Sequence, residues 1–145
     1  MRKIEFLKMH GLGNDFVVLD GRFSGPTLVA TDYCAVGDRR RGVGYDQFLT
    51  IEAPKNGGDA FMRIHNPDGK EASACGNGTR CVADLVMDEL DKNRIDLETV
   101  SGTLACERIE GGRIKVDMGP ARINAAAIPL SVETDTLSVE IPDAP

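Results

Sequence analysis

Apolar residues recur at every second position through most of the chain, and Val, Ile, Phe and Thr are frequent among them, the signature of half-buried strands. This spacing predicts strands over Lys3–Lys8, Phe16–Asp20, Gln47–Glu52, Ala60–His65, Ile95–Val100, Thr103–Ile109 and Arg113–Met118, with a weaker pair near Ile128–Val132 and Leu137–Ile141. Turn chemistry separates several of them: Asn66-Pro67-Asp68-Gly69 suits a type I turn, Ser101-Gly102 links two strands, and Glu110-Gly111-Gly112 closes a hairpin. One stretch breaks the rhythm. Cys81, Val82, Leu85, Val86 and Leu90 recur at helical spacing with Arg80, Asp84, Asp88 and Glu89 between them, which predicts a helix from about Gly76 to Asp91. Asn93 is the expected left-handed stop, with Lys92 and Arg94 near the negative end of the dipole. A second, shorter helix is expected over Val29–Val36, and the fold class is α+β with a mainly antiparallel sheet.

Composition narrows the picture. With 145 residues, 41% hydrophobic and 28% charged, the chain is sized for one core, and a domain of this length buries roughly two-thirds of the surface its unfolded chain exposes. After Gly119-Pro120 the composition shifts to Ala125-Ala126-Ala127 and two short strand-like runs, ending at Pro142-Asp143-Ala144-Pro145. That ending reads as a chain cut between domains, so residues 1–118 are expected to form one domain and 119–145 a linker and the first strands of a second. The net charge of -6 offers no footprint for nucleic acid or anionic lipid, and Arg39-Arg40-Arg41 reads as a solvated loop. No apolar run reaches the roughly 18 residues of a membrane span, and the N-terminus lacks the apolar stretch of a secretion signal, so a cytoplasmic protein is expected.

Cys34, Cys75, Cys81 and Cys106 show no paired C-x-x-C rhythm, and His10 and His65 are the only histidines, which argues against structural zinc. The bland reading of Cys34, Cys81 and Cys106 is free thiols buried as small hydrophobes. Cys75 differs because Gly76, Asn77 and Gly78 follow it at the expected helix start. Glycines there let the first-turn amides face a ligand, and a carboxylate bound to them gains about 0.3–2 kcal/mol from the dipole alone. Those same amides stabilise a neighbouring thiolate. Asn14, Gln47, Asn66 and Asn77 stand at strand ends or turns, and amides that both donate and accept suit a zwitterionic amino acid. The two G-x-G strings, Gly11-Leu12-Gly13 and Gly42-Val43-Gly44, do not sit between a strand and a helix as a dinucleotide site requires.

Four strings together, Lys8-Met9-His10-Gly11-Leu12-Gly13-Asn14-Asp15-Phe16, Arg41-Gly42-Val43-Gly44-Tyr45-Asp46-Gln47, Arg63-Ile64-His65-Asn66-Pro67-Asp68-Gly69 and Ala74-Cys75-Gly76-Asn77-Gly78-Thr79-Arg80-Cys81, resemble the N-terminal half of the diaminopimelate epimerases. The resemblance runs from Met1 to about Gly119. It implies a half-molecule in which an antiparallel β-barrel wraps a central helix at about 76–91. The implied activity is the interconversion of LL- and meso-diaminopimelate in lysine and peptidoglycan synthesis, with no pyridoxal phosphate, metal or other cofactor. One thiolate removes the α-proton and a second thiol reprotonates the opposite face. Carried over by motif, Cys75 is one of these thiols, Gly76 and Asn77 bind the α-carboxylate through backbone amides, and Asn14, Gln47 and Asn66 hold the substrate. Full-length members are expected to be homodimers.

The residues given after Pro120 are expected to be only the opening of the family's second domain, without its partner cysteine or its Glu-Arg pair. This chain alone is therefore expected not to racemise diaminopimelate. The alternatives are another racemase or epimerase of the same superfamily, or a non-catalytic half-barrel that binds a partner. A redox role is disfavoured because Cys75 and Cys81 fall on roughly opposite sides of the expected helix.

Overall fold

The run Phe16-Val17-Val18-Leu19 is apolar without alternation, and the reason is that both of its faces are covered. Phe16 and Val18 join Leu49, Ile51, Met62, Ile64, Val82, Val86 and Leu97 in the main core, while Val17 and Leu19 join Tyr33, Tyr45 and Phe48 in a second, smaller one. The structure, a computed structural model, describes residues 3–23, 27–128, 130, 135 and 136. Its elements run β1 (Leu7–Gly11), β2 (Asn14–Asp20), α1 (Ala30–Gly37), β3 (Gln47–Glu52), β4 (Ala60–His65), β5 (Glu71–Ala72), α2 (Gly76–Leu90), β6 (Arg94–Thr99), β7 (Gly102–Ile109) and β8 (Arg113–Val116). One eight-stranded sheet takes the order β1-β2-β3-β4-β6-β7-β8, with β5 paired to β4.

Five strand pairings are antiparallel and two are parallel, β2 with β3 and β4 with β6. A parallel pair needs a crossover, and the helices supply both: α1 lies between β2 and β3, and α2 between β4 and β6. Helix α2 touches every strand of the main path, so the sheet curls around it as the α+β half-barrel expected from the sequence. Its buried stripe of Gly78, Thr79, Cys81, Val82, Ala83, Val86 and Met87 is the inner wall of the main core.

The bounds of β3 and β4 match the sequence expectation, and the others differ at their ends. The first strand is Leu7–Gly11, not Lys3–Lys8, because its register is set by a two-residue hairpin turn at Leu12-Gly13. Both turn residues take positive φ, 55° and 87°, the twist that suits tight hairpins. Helix α2 stops at Asp91, not Asn93. Asp91 adopts φ 52° and ψ 45°, and the Lys92 amide closes onto the Met87 carbonyl at 3.0 Å. Asp shares with Asn the tolerance for this left-handed conformation. Helix α1 begins at Ala30, one residue later than expected, where the Asp32 carboxylate accepts the Val29 N–H at 2.9 Å. The runs expected near Ile128–Val132 and Leu137–Ile141 rest on residues outside the described ones. Cys81 and Cys106 are buried as anticipated, but Cys34 is exposed on the outer face of short α1.

Glu98 is 2% exposed, yet its carboxylate is fully occupied: it accepts the backbone N–H groups of Lys55, Asn56 and Gly58 at 2.7, 2.8 and 2.8 Å. This pins the β3–β4 loop to β6. The Gly58 and Lys55 amides hold the Glu98 carboxyl below its ordinary value of 4.5, against the cost of burial.

Two outcomes follow from this packing. Glu98→Gln turns an NH2 toward amide donors, so its thermal midpoint should fall on the order of 5 °C below wild type at pH 7. A depressed carboxyl stabilises the fold above its unfolded value and loses that effect as pH falls, so the gap between the two proteins should close below about pH 4.5 in calorimetry at stepped pH. Leu49, 0% exposed beneath the first turn of α2, should cost about 2–5 kcal/mol when replaced by Ala, read as a lower urea midpoint at unchanged slope.

Candidate active site

The topology gathers the four polar strings at one end of the sheet. Strands β2 and β3 run parallel and begin there, at Asn14 and Gln47, while antiparallel β1 and β4 end there, at Gly11 and just before Asn66. Helix α2 starts at the same end. A close backbone approach locks it in place: a Cβ on Gly11 would lie 3.3 Å from both the Cβ and the carbonyl oxygen of Asn77.

Cys75 is the residue that caps α2. Its backbone is extended, with φ −156° and ψ 97°, and its carbonyl accepts both the amide and the hydroxyl of buried Thr79, each at 2.8 Å. The Cys75 side chain is half-buried, and Sγ accepts the Gly78 N–H at 3.3 Å. That leaves the N–H groups of Gly76 and Asn77 with no acceptor among the described residues, as the opening turn of a helix requires unless something binds there. Gly78 is needed for space as well: a Cβ there would approach Leu49 Cδ1 to 3.0 Å and Cys75 Sγ to 3.3 Å.

Asn14 and Asn77 sit beside the sulfur. The thiol donates to Asn14 Oδ1 at 3.8 Å, and Asn77 Nδ2 donates to the same oxygen at 3.4 Å. The sulfur thus has a donor partner in Gly78 and an acceptor partner in Asn14. Gln47 and Asn66 form a separate amide pair at 3.2 Å. No hydrogen bond joins that pair to Cys75 among the described residues. The bond that holds Asn66 in place is its own turn, with Gly69 N–H on its carbonyl at 2.9 Å and its N–H on the Lys70 carbonyl at 2.9 Å.

Cys81 and Cys106, unlike half-buried Cys75, are buried in the core. Burial pushes Cys106 up to about 11 and raises Cys81, which disfavours their ionisation. Among the described residues, no three His, Cys, Asp or Glu side chains converge as a metal site needs.

Arg39, Arg40 and Arg41 are exposed, as expected of a solvated loop, yet Arg39 also joins a charged group behind Asn14. Arg39, the first of the three arginines, pairs with Asp15 at 2.7 Å and Asp46 at 2.8 Å, and Lys8 reaches Asp15 at 2.6 Å. The Arg39 guanidinium, with help from Lys8, holds the Asp15 carboxyl well below the usual carboxylate range despite partial burial. Asp46 in turn accepts Asn14 Nδ2 at 2.8 Å. Arg80 donates to Asn77 Oδ1 from the next turn of α2. Asp46, Arg39 and Arg80 all lie in or beside the polar strings, but pairing across more than thirty positions of sequence, as in Asn14 with Asp46, leaves no local signal.

Residues 6–124 match the family model described as "Diaminopimelate epimerase". A protein named diaminopimelate epimerase from Rhodospirillum centenum is 51% identical over 135 residues, covering 92% of this chain and 46% of that protein. One of the same name from Acidiphilium cryptum is 46% identical over 136 residues, covering 94% of this chain and 49% of that protein. The chain spans about half the length of these curated relatives. Among solved structures, a protein described as "a Predicted Epimerase" from Pseudomonas aeruginosa aligns with TM-score 0.61 at 17% identity, over 85% of this chain and 45% of the other. A phenazine biosynthesis protein of the PhzF family from Bacillus anthracis aligns with TM-score 0.57 at 20% identity, over 80% and 40%. These two likenesses concern the fold. With the family model covering most of its length and relatives at this level of identity, the chain belongs to the diaminopimelate epimerase family.

Proposed function

We propose that this chain supplies one half of a cofactor-independent epimerase site, in which Cys75 exchanges a proton with the α-carbon of diaminopimelate on one face. The observation that carries the reading is the pairing of a half-exposed sulfur, partnered by Gly78 N–H and Asn14 Oδ1, with the adjacent amides of Gly76 and Asn77, which meet no acceptor among the described residues. A carboxylate on those amides brings an adjacent α-carbon toward the sulfur. Negative charge that spreads from the carbanion into the carboxylate then meets donors already in place, the kind of preorganised electrostatics that dominates such barriers. A positioned acid or base adds about 10²–10⁴-fold. Asn14, Gln47 and Asn66 hold the remainder of the substrate, the distal amino-acid end included.

Proton balance demands a second group. When Cys75 acts as donor, the thiol proton passes to the carbanion face toward it, and the proton removed from the opposite face goes to another base; in the reverse direction the roles exchange. The other thiol, on this reading, belongs to the second domain. In this reading residues 1–118 form the first domain, 119–145 lead into the second, and the chain by itself is inactive as an epimerase. The same reading assigns a cytoplasmic role in lysine and peptidoglycan synthesis, and a homodimer for the full-length enzyme.

Two measurements test this. A diaminopimelate analogue bearing an electrophile should label Cys75 and spare exposed Cys34, with protection by free diaminopimelate; peptide mass spectrometry locates the adduct, and labelling confined to Cys34 would overturn the proposal. Purified chain incubated with LL-diaminopimelate in D₂O should yield no meso product by chiral chromatography. Appearance of the meso form would refute the requirement for two thiols.

A further inference from the structure

We infer that Asp46 is a positioning residue whose carboxylate fixes the polarity of the Asn14 amide, so that Asn14 turns its carbonyl oxygen, and not its NH2, toward Cys75. The geometry rests on acceptor and donor chemistry alone. An ionised carboxylate can only accept, so the Asn14 atom 2.8 Å from Asp46 Oδ2 is its NH2 group, and the atom facing Cys75 Sγ and Asn77 Nδ2 is oxygen. At the far end a guanidinium can only donate, so the Asn77 atom facing Arg80 is oxygen and its NH2 faces Asn14. Both ends impose one direction on the series Arg80, Asn77, Asn14, Asp46. Neither amide can flip without setting two donors or two acceptors against each other, which costs a half-buried amide its partner.

Asp46 is itself fixed from three sides. Its Oδ2 also accepts the Asp15 N–H at 3.0 Å, its Oδ1 takes Arg39 at 2.8 Å, and its own N–H donates to the Asp15 carbonyl at 2.9 Å. Arg39 ties the same carboxylate to Asp15. The side chain of Asp46 makes no hydrogen bond with Cys75, Gly76 or Asn77 among the described residues, so it acts through Asn14. A ligand at the sulfur therefore meets an acceptor on the Asn14 side and donors at the Gly76 and Asn77 amides, a layout that takes an N–H-bearing cation at one and a carboxylate at the other. The identity of that ligand rests on the proposed epimerase reading; the orientation of Asn14 does not.

The test separates the two. Inactivation of Cys75 by the electrophilic diaminopimelate analogue is followed in wild type, Asp46→Ala, Asn14→Ala and the double variant, resolving the half-saturation constant from the limiting rate. Asp46→Ala should raise the half-saturation constant about tenfold and change the limiting rate by less than about twofold. In the Asn14→Ala background the same substitution should add nothing, since its route is gone. An undiminished Asp46→Ala effect in that background, an equal fall in both constants, or no effect on a wild type that labels would each overturn the inference. Side-chain amide resonances of Asn14 in ¹⁵N-labelled chain give a ligand-free reading: removal of the carboxylate should shift its NH2 protons upfield, and an unchanged position overturns the inference. Failure of the analogue to label wild type would count against the epimerase reading, with the NMR result still deciding the orientation.

Discussion

The parallel pairing of β4 with β6 governs the rest of the molecule. Two parallel neighbours cannot be joined by a tight turn, so the chain must leave the sheet and return across it, and α2 is that crossing. Running along the concave face, it buries Val82, Ala83, Val86 and Met87 against strands that would otherwise expose their inner sides. The start of this crossing falls at the same sheet end as the starts of β2 and β3 and the ends of β1 and β4. The site is thus a by-product of how the core is closed: fixing the helix for packing also fixes the cap.

What the cap can do follows from the two glycines in its first turn. Gly76 and Gly78 leave the helix amides bare, Leu49 supports Gly78 from below, and Gly11 lets β1 approach Asn77. Rigid support of this kind sets the distance between the sulfur and the amide donors before any ligand arrives. The charged group of Lys8, Asp15, Arg39 and Asp46 extends that support outward, and because most of it is solvent-exposed its value lies in orientation more than in stability.

Much of this was legible in the sequence, for identifiable reasons. Strands β3 and β4 and helix α2 carry long periodic patterns with clear breaks, so their spans could be read to within a residue. Cys75 was marked by the glycines after it. The misses have equally local causes. Leu12 in a left-handed conformation disguised the hairpin that sets β1, since a bulky residue is an uncommon choice there. Asp91 replaced the more usual Asn or Gly as the helix stop. The two parallel pairings were invisible because alternation reports burial, not strand direction. Exposed Cys34 shows that a short helix gives too few turns for periodicity to say which side faces out.

The double-faced covering of β2 and β3 has a consequence for how the pair finds its alignment. A half-buried strand resists sliding by one residue because every greasy side chain would swap into water. Here Phe16 to Leu19 are oily on both sides, so that safeguard is weak. Alignment falls instead to the polar clasp at the strand starts, where Asp15 and Asp46 exchange backbone and side-chain hydrogen bonds. A slip of one step would carry Asn14 roughly 3.3 Å along the strand, beyond reach of the sulfur.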